Sequence, residues 1–415
     1  MAFEKDWQYQ KFCAYGFLKN LRFFEPFMVL FLLDAGLTYL QIGLLYSLRM
    51  ILQNLLEIPA GIVSDALGRR RTMIISFGFY IFSFLVFYFS GHMTLFIIAM
   101  AIFALGEAFR TGTHKAMIFE YLKIKGWEND KVSYYGHTRS WSQRGSALSA
   151  LIAAGLVILT HNYRMIFLFS VIPYLLDLLV ISSYPKTLDG KTVNIKFSDI
   201  GRNFKEVLND FWYSFRNPLM LKTIVNSSVY SGYYKAMKDF LQPVVKSLAL
   251  ALPLLVSQPN TTRSALLVGI VYYLIYRASS IAARNSGKFS LRFSSLQMAL
   301  TLSILIGAGA GLLSGLFYRI HVPAVAVLFF VVVYMVENLR KPIGMSCTAD
   351  LLEKDILATA LSAAAQLETL FAAIFTALLG FLADRFGLAN GLMIVSLVLM
   401  VLTPLVFIRK SRTKV

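Results

Sequence analysis

Cysteine is nearly missing from this chain of 415 residues, which carries only Cys13 and Cys347. Two thiols cannot form the disulfide framework of a small secreted domain. Both also fall at or near the cytoplasmic side of the predicted topology, so no disulfide is expected. Charge is scarce as well. Asp, Glu, Lys and Arg make up 15% of the residues, against about 25% in a soluble domain, so most of the surface must face something other than water. Acids are the scarcer sign, 22 against 40 Lys and Arg. The excess of base does not imply nucleic acid, because the basic residues are dispersed over membrane-proximal loops. No P-loop, H-E-x-x-H motif or nucleophile elbow occurs, so neither an enzyme nor a cofactor is expected. Without an ATPase, uphill movement of a solute must draw on an ion gradient. The opening MAFEKDWQYQKF has no cleavable signal pattern, and the first helix is expected to act as its own insertion signal.

What is abundant is apolar sequence: 57% of the residues are hydrophobic and the mean hydropathy is +0.63. About 20 apolar residues cross a bilayer as a helix. The runs predict spans over 20–36, 39–63, 72–90, 94–118, 138–160 and 164–184, then over 218–240, 264–284, 294–317, 321–344, 357–382 and 388–408. With both termini inside, Arg164, Lys235, Lys238, Lys246, Arg263, Arg319 and Arg385 lie outside, Arg49 and Arg110 lie within helices, and the other bases fall on the inner side. That asymmetry follows the positive-inside rule, and the opposite orientation violates it. Between the sixth and seventh spans, Phe197, Ile200, Phe204, Val207, Leu208, Phe211 and Phe215 recur at helical spacing. They predict an amphipathic helix, lying either on the inner membrane surface or on the protein's own inner loops.

The first organising motif is Gly61-Ile-Val-Ser-Asp65-Ala-Leu-Gly68-Arg69-Arg70-Arg71, between the second and third spans. Gly61 is expected to admit close helix packing, Gly68 a chain reversal, and Asp65 a cap on the next helix. The stretch resembles the G-x-x-x-D-x-x-G-R-[RK] signature of the major facilitator superfamily. The resemblance implies an all-α integral membrane protein of 12 transmembrane helices in two pseudo-symmetric six-helix bundles. The boundaries would be 1–184, a linker at 185–216, and 217–415. Gly61, Asp65, Gly68, Arg69 and Arg70 would then form a cytoplasmic gating turn. The counterpart expected between the eighth and ninth spans, over 276–288, lacks the acid. Gly380-Phe-Leu-Ala-Asp384-Arg385-Phe-Gly387 fits the pattern better, but on the outer side, where it reads either as a coincidence of turn chemistry, the favoured alternative, or as a helix count that is off in the second half.

Ionisable groups inside a bilayer are costly and mark candidate sites. Arg49, Gln53 and Glu57 are spaced by four and share a helix face, so Arg49 either binds an anionic group of a substrate or pairs with a glutamate. Glu107 and Arg110 pair at i,i+3, as a proton-coupling unit or as structure. Asn226, Tyr230, Tyr273 and Gln366 are candidate cavity residues, and Glu337 and Glu368 candidate proton carriers unless a neighbouring cation holds them. Gly307, Gly309, Gly311 and Gly315 are expected to form a packing face.

These features predict a secondary active transporter in the cytoplasmic (inner) membrane. Its substrate would be a small organic solute bearing an anionic group, moved by alternating access with proton coupling, and export is slightly favoured over import. The expected partners are solute, protons and membrane lipids, with no nucleic acid and no second copy. The alternatives are a lipophilic-drug/proton antiporter and, in a different class, a transport-dead sensor or lipid-handling scaffold.

Overall fold

The computed structural model describes residues 3–189, 218–253, 256–349 and 354–408. The predicted amphipathic helix over 197–215 lies outside the described residues. Regular structure among the described residues is entirely helical: α1 (Trp7–Lys19), α2 (Met28–Asp34), α3 (Tyr39–Leu67), α4 (Arg69–Phe89), α5 (Met93–Arg110), α6 (Thr113–Ile124), α7 (Lys131–Thr160), α8 (Met165–Ser182), α9 (Pro218–Ala251), α10 (Asn260–Arg284), α11 (Ser286–Ser290), α12 (Leu296–Arg319), α13 (Pro323–Ala349), α14 (Lys354–Phe386) and α15 (Leu388–Leu402), with single 3₁₀ turns between some of them. Among the described residues, ten helical segments are long and apolar enough to cross a membrane. Two more spans fall short for physical reasons. The first, α1 with α2, is interrupted, and α9 carries Lys222, Lys235, Lys238, Asp239 and Lys246.

Two expected spans are broken helices. The first begins at Trp7, well before residue 20, and stops at Lys19; Leu21–Phe27 forms turns before α2 resumes. Pro26 lies in that break and cannot extend a helix through it. The fourth span breaks after Arg110, where Gly112 takes φ +78, a left-handed value that favours glycine, and α6 carries on to Ile124. Irregular backbone at membrane depth is tolerated where protein or a cavity surrounds it. Here the side chains around both breaks include Arg22, Glu107 and Arg110.

The turn between α3 and α4 is a single residue, Gly68, at φ +90. Two expectations about this turn are overturned. Gly61 is exposed and nothing among the described residues would meet a Cβ there, so it mediates no close helix approach among them. Asp65 is exposed and makes no capping bond among the described residues; the carboxylate on the first turn of α4 belongs to Asp189, which accepts from the Arg70 amide at 2.6 Å. Arg69 instead reaches Glu120 at 3.6 Å, and Arg70 donates to the carbonyls of Tyr184 and Ser182.

The chain groups into two compact units. One holds the described residues of Met1–Phe31, Leu52–Phe204 and Gln258–Tyr273; the other holds those of Leu32–Ile51, Lys205–Ser257 and Leu274–Val415. In the first unit α4 packs on α5 and α8, and α1 on α7. Phe24, Phe77, Tyr80, Phe84, Phe103 and Tyr174 interlock there as an aromatic core. In the second unit α9 packs on α14 and α13, and α12 on α13 and α15. The glycine face of α12 is a packing face. Gly307 lies against Tyr230, Gly311 against Tyr233 and Ser396, and Gly315 against Met393.

The start of α3 belongs to this second unit. Ser47 donates to the Ala373 carbonyl at 2.7 Å, and Asp384 accepts from the amides of Tyr39 and Leu40 at 2.9 and 2.8 Å. Gly387, at φ +83, forms the same one-residue turn into α15 that Gly68 forms into α4. The Gly380–Gly387 stretch therefore matches the opening motif in backbone as well as in spacing.

Candidate functional site

In the first unit a cavity of about 340 Å³ opens beside the two helix breaks. α1 brings Tyr15 and Lys19 to it, the α5–α6 break brings Arg110, His114 and Lys115, and α7 brings Tyr135, Arg139 and Gln143. Among the described residues its charged lining is all of one sign: Lys19, Arg110, Lys115 and Arg139 line it, and no carboxylate does. The seam between α1 and α7 is tight, since a Cβ on Gly16 would press on Ser142 and one on Gly145 on the Phe17 carbonyl. That contact fixes Lys19 and Arg139 on adjoining walls.

Behind the cavity one carboxylate serves two guanidiniums. Glu107 Oε2 accepts from Arg110 at 2.7 Å, and Oε1 accepts from Arg22 at 3.2 Å. Arg110 Nε donates to the Tyr80 hydroxyl at 3.0 Å, and Arg22 lies 3.9 Å from Glu25. The i,i+3 pair predicted for Glu107 and Arg110 is present. Arg22 adds a second cation to it, which the broken first span makes possible. His114 stacks on Tyr15, with ring centroids 3.5 Å apart, and its Nε2 lies 3.1 Å from the Tyr184 hydroxyl. Asp177, from α8, is fully buried at the edge of this cluster, and neither of its carboxyl oxygens has a hydrogen-bond partner among the described residues.

The second unit carries its own polar network. Arg340, 2% exposed, donates to Ser303 Oγ at 2.7 Å, to the Asn226 carbonyl and Oδ1 at 2.9 and 3.0 Å, and to the Leu300 carbonyl. Its guanidinium lies 4.7 Å from the Tyr230 ring centroid. Glu337 accepts from Ser231 at 2.8 Å and pairs with Lys341 at 3.3 Å, and Glu368 pairs with Lys235 at 2.9 Å.

The family profile that matches is that of the Major Facilitator Superfamily, over residues 12–370. The chain belongs to that superfamily. A stretch of 104 residues is 30% identical to the uncharacterized MFS-type transporter YxaM of Bacillus subtilis (strain 168), a match covering 25% of this chain and 26% of that protein. The chain thus aligns with about a quarter of the length of that relative. In fold it is similar over nearly its whole length to solved transporters. A mutant of the nucleoside transporter NupG superposes with TM-score 0.77 at 14% identity, covering 96% of this chain and 98% of that one. A POT family transporter in complex with a thioalcohol-conjugated peptide gives 0.72 at 14% identity, covering 96% and 94%. At such identity the likeness shows the fold alone: an all-α membrane protein of the facilitator type.

Of the residues predicted for this facilitator's site, Arg110 lines the cavity, and Glu107 pairs with it from behind. The others do not line it. Arg49 lies in the second unit with its guanidinium 4.8 Å from the Tyr46 ring centroid. Gln53, Glu57 and Gln366 are half-buried on their helices. Tyr273 is exposed, while the neighbouring Tyr272 is the buried ring. Asn226 and Tyr230 are fully buried, tied to Arg340 and to backbone carbonyls rather than to an open cavity. Sequence reasoning passed over Arg139 and Asp177. Arg139 lies near the start of the span predicted over 138–160 and counts there only as a flanking base, whereas the helix begins at Lys131 and carries it in its first third. Asp177 is the lone acid in an 18-residue apolar helix of hydropathy 2.2, and an isolated acid at membrane depth is itself a signal.

Proposed function

We propose that this facilitator is a secondary active transporter of a small organic anion, working by alternating access and coupled to protons. The single observation that supports this most is the all-cationic charged lining formed by Lys19, Arg110, Lys115 and Arg139. Guanidinium offers a fork of donors to a carboxylate or phosphate, and ammonium adds a point charge. Glu107 is committed to two arginines, so the cluster keeps a net positive charge facing the cavity. A lipophilic cation would be repelled there, which disfavours the drug-antiporter alternative. Direction depends on the coupling sign: proton symport carries the anion inward, antiport carries it outward. Gly68 with Arg69 and Arg70 forms the inner turn, and in this reading it braces α4 against α6 and Asp189 while the transporter cycles.

The test is a thermal-shift screen of purified protein against small carboxylates and phosphates, lipophilic cations and neutral solutes. A ligand that binds only the folded state raises its melting point by mass action. An anion is expected to stabilise the wild type, to lose that effect in Arg139→Gln, and to keep it in Arg49→Gln. Stabilisation by lipophilic cations alone, unaffected by Arg139→Gln, overturns the anion reading.

A further inference from the structure

The four cations of the cavity are not equivalent. Arg110 is committed, because its guanidinium donates to Glu107 at 2.7 Å and to the Tyr80 hydroxyl at 3.0 Å. Lys19 is not. It is 8% exposed and lines the cavity from α1, and among the described residues its ammonium has neither an ion pair nor a hydrogen bond. The buried acids of this unit do not serve it. Glu107 already holds two guanidiniums, and neither oxygen of Asp177 meets a donor among the described residues. A cation so nearly buried without a counter-charge is costly, and a carboxylate or phosphate in the cavity supplies one.

The other two cations stand apart from it. Lys115 on α6 and Arg139 on α7 are exposed, and Lys115 lies 5.6 Å from the centroid of the Tyr135 ring. Together with Tyr135 they also line a second cavity of about 550 Å³, which continues past Phe119 and Leu122 to Glu128 in the turn between the two helices. Lys19 and Arg110 line only the first cavity. The two cavities thus follow one another along the seam of α6 and α7, with Lys115 and Arg139 at their boundary and Lys19 on the α1 wall beyond.

We infer that the solute is an organic dianion with its two anionic groups at opposite ends, one paired with Lys19 and the other with Arg139 and Lys115. This rests on the anion reading of the cavity and narrows it. A monoanion answers one end only. Seated on Lys19, it leaves Arg139 and Lys115 to water; seated at the boundary, it leaves Lys19 nearly buried without a counter-charge. A dicarboxylate, or an acid with a phosphate at its far end, answers both ends with charge-assisted hydrogen bonds. At the boundary Arg139 offers the planar fork and Lys115 the point charge. The carbon chain between the two groups lies against Ile118 and Tyr135.

The experiment is isothermal titration calorimetry of the purified full chain with succinate, glutarate and adipate, each compared with its own monoamide, at about pH 8, well above the carboxyl range. The monoamide keeps the length and shape of the diacid and loses one charge. In the wild type the best-fitting dicarboxylate is expected to bind about tenfold or more tightly than its monoamide. Arg139→Gln is expected to erase that preference and leave the monoamide's affinity unchanged, because its one carboxylate goes to Lys19. Arg139 is exposed, so this variant tests the far end without disturbing the packing. Lys19→Gln is expected to weaken both ligands about tenfold, and Lys19→Arg, which keeps the charge, to restore the preference for the dicarboxylate. Equal wild-type affinity for a dicarboxylate and its monoamide, or equal weakening of both by Arg139→Gln, overturns the dianion and leaves a monoanion in the cavity. Binding of no dicarboxylate and no monoamide overturns the dianion together with the anion reading on which it rests.

Discussion

Replacing Gly311 by alanine places a Cβ on the Tyr233 hydroxyl and 2.6 Å from Ser396 Oγ. Those two hydroxyls are hydrogen-bonded to each other at 2.8 Å in a site where both residues are fully buried. The methyl group must push them apart. Overpacking of this kind costs about 1–3 kcal/mol, and a buried hydroxyl left without its partner costs about 1–3 kcal/mol more. A combined penalty of roughly 3 kcal/mol follows, which corresponds to a fall in melting temperature of about 3–4 °C for a chain of this length. The double variant Tyr233→Phe/Ser396→Ala deletes both hydroxyls together, which is nearly neutral because no orphan remains. In that background the added methyl finds room, and Gly311→Ala is expected to cost about 1 kcal/mol. The four proteins form a mutant cycle with a coupling of roughly 2 kcal/mol, read from thermal denaturation in detergent. An equal cost for Gly311→Ala in both backgrounds refutes the reasoning.

Two further outcomes follow from the geometry. Glu107→Gln strips Arg22 and Arg110 of their shared carboxylate, and breaking a buried pair in this way costs about 3–5 kcal/mol; the variant is expected to melt well below wild type, while an unchanged melting point would mean that other groups compensate both guanidiniums. Asp384→Ala removes the acceptor for the first two amides of α3, at a cost of about 0.5–2 kcal/mol, and hydrogen exchange at residues 39–41 is expected to accelerate while exchange in the interior of α4 stays the same.

The apolar runs were enough to place the helices because bilayer thickness sets a single length scale. They missed what departs from that scale. The segment Trp7–Lys19 is half polar and reads as a tail, yet it buries Tyr9, Phe12, Cys13 and Tyr15. The i,i+3 pair of Glu107 and Arg110 was legible because it is local. Arg22 as the second partner was not, being 85 residues away in sequence. Asp65 looked like the cap of α4 because caps are usually adjacent, and nothing in the local spacing announces that Asp189 does the work from the far end of the unit. Arg340 shows the same limit: its partners Asn226, Leu300 and Ser303 come from two other helices. Asp177 differs from these, since its isolation in an apolar run was visible from the start.

The interrupted first span and the charged α9 bear on how the chain enters the membrane. Neither counts among the ten clear spans, the first because it is interrupted and α9 because it is charged, and each opens one of the two series of six. On insertion scales a charge at a helix centre costs about 2.5–3.5 kcal/mol. Arg22 gains its closer carboxylate, Glu107 at 3.2 Å against Glu25 at 3.9 Å, and Lys235 gains Glu368, only when those later helices have been synthesised. Synthesis and stabilisation therefore run in opposite order: the segment made first in each series is secured last, and the insertion machinery must hold it until its partner helix emerges.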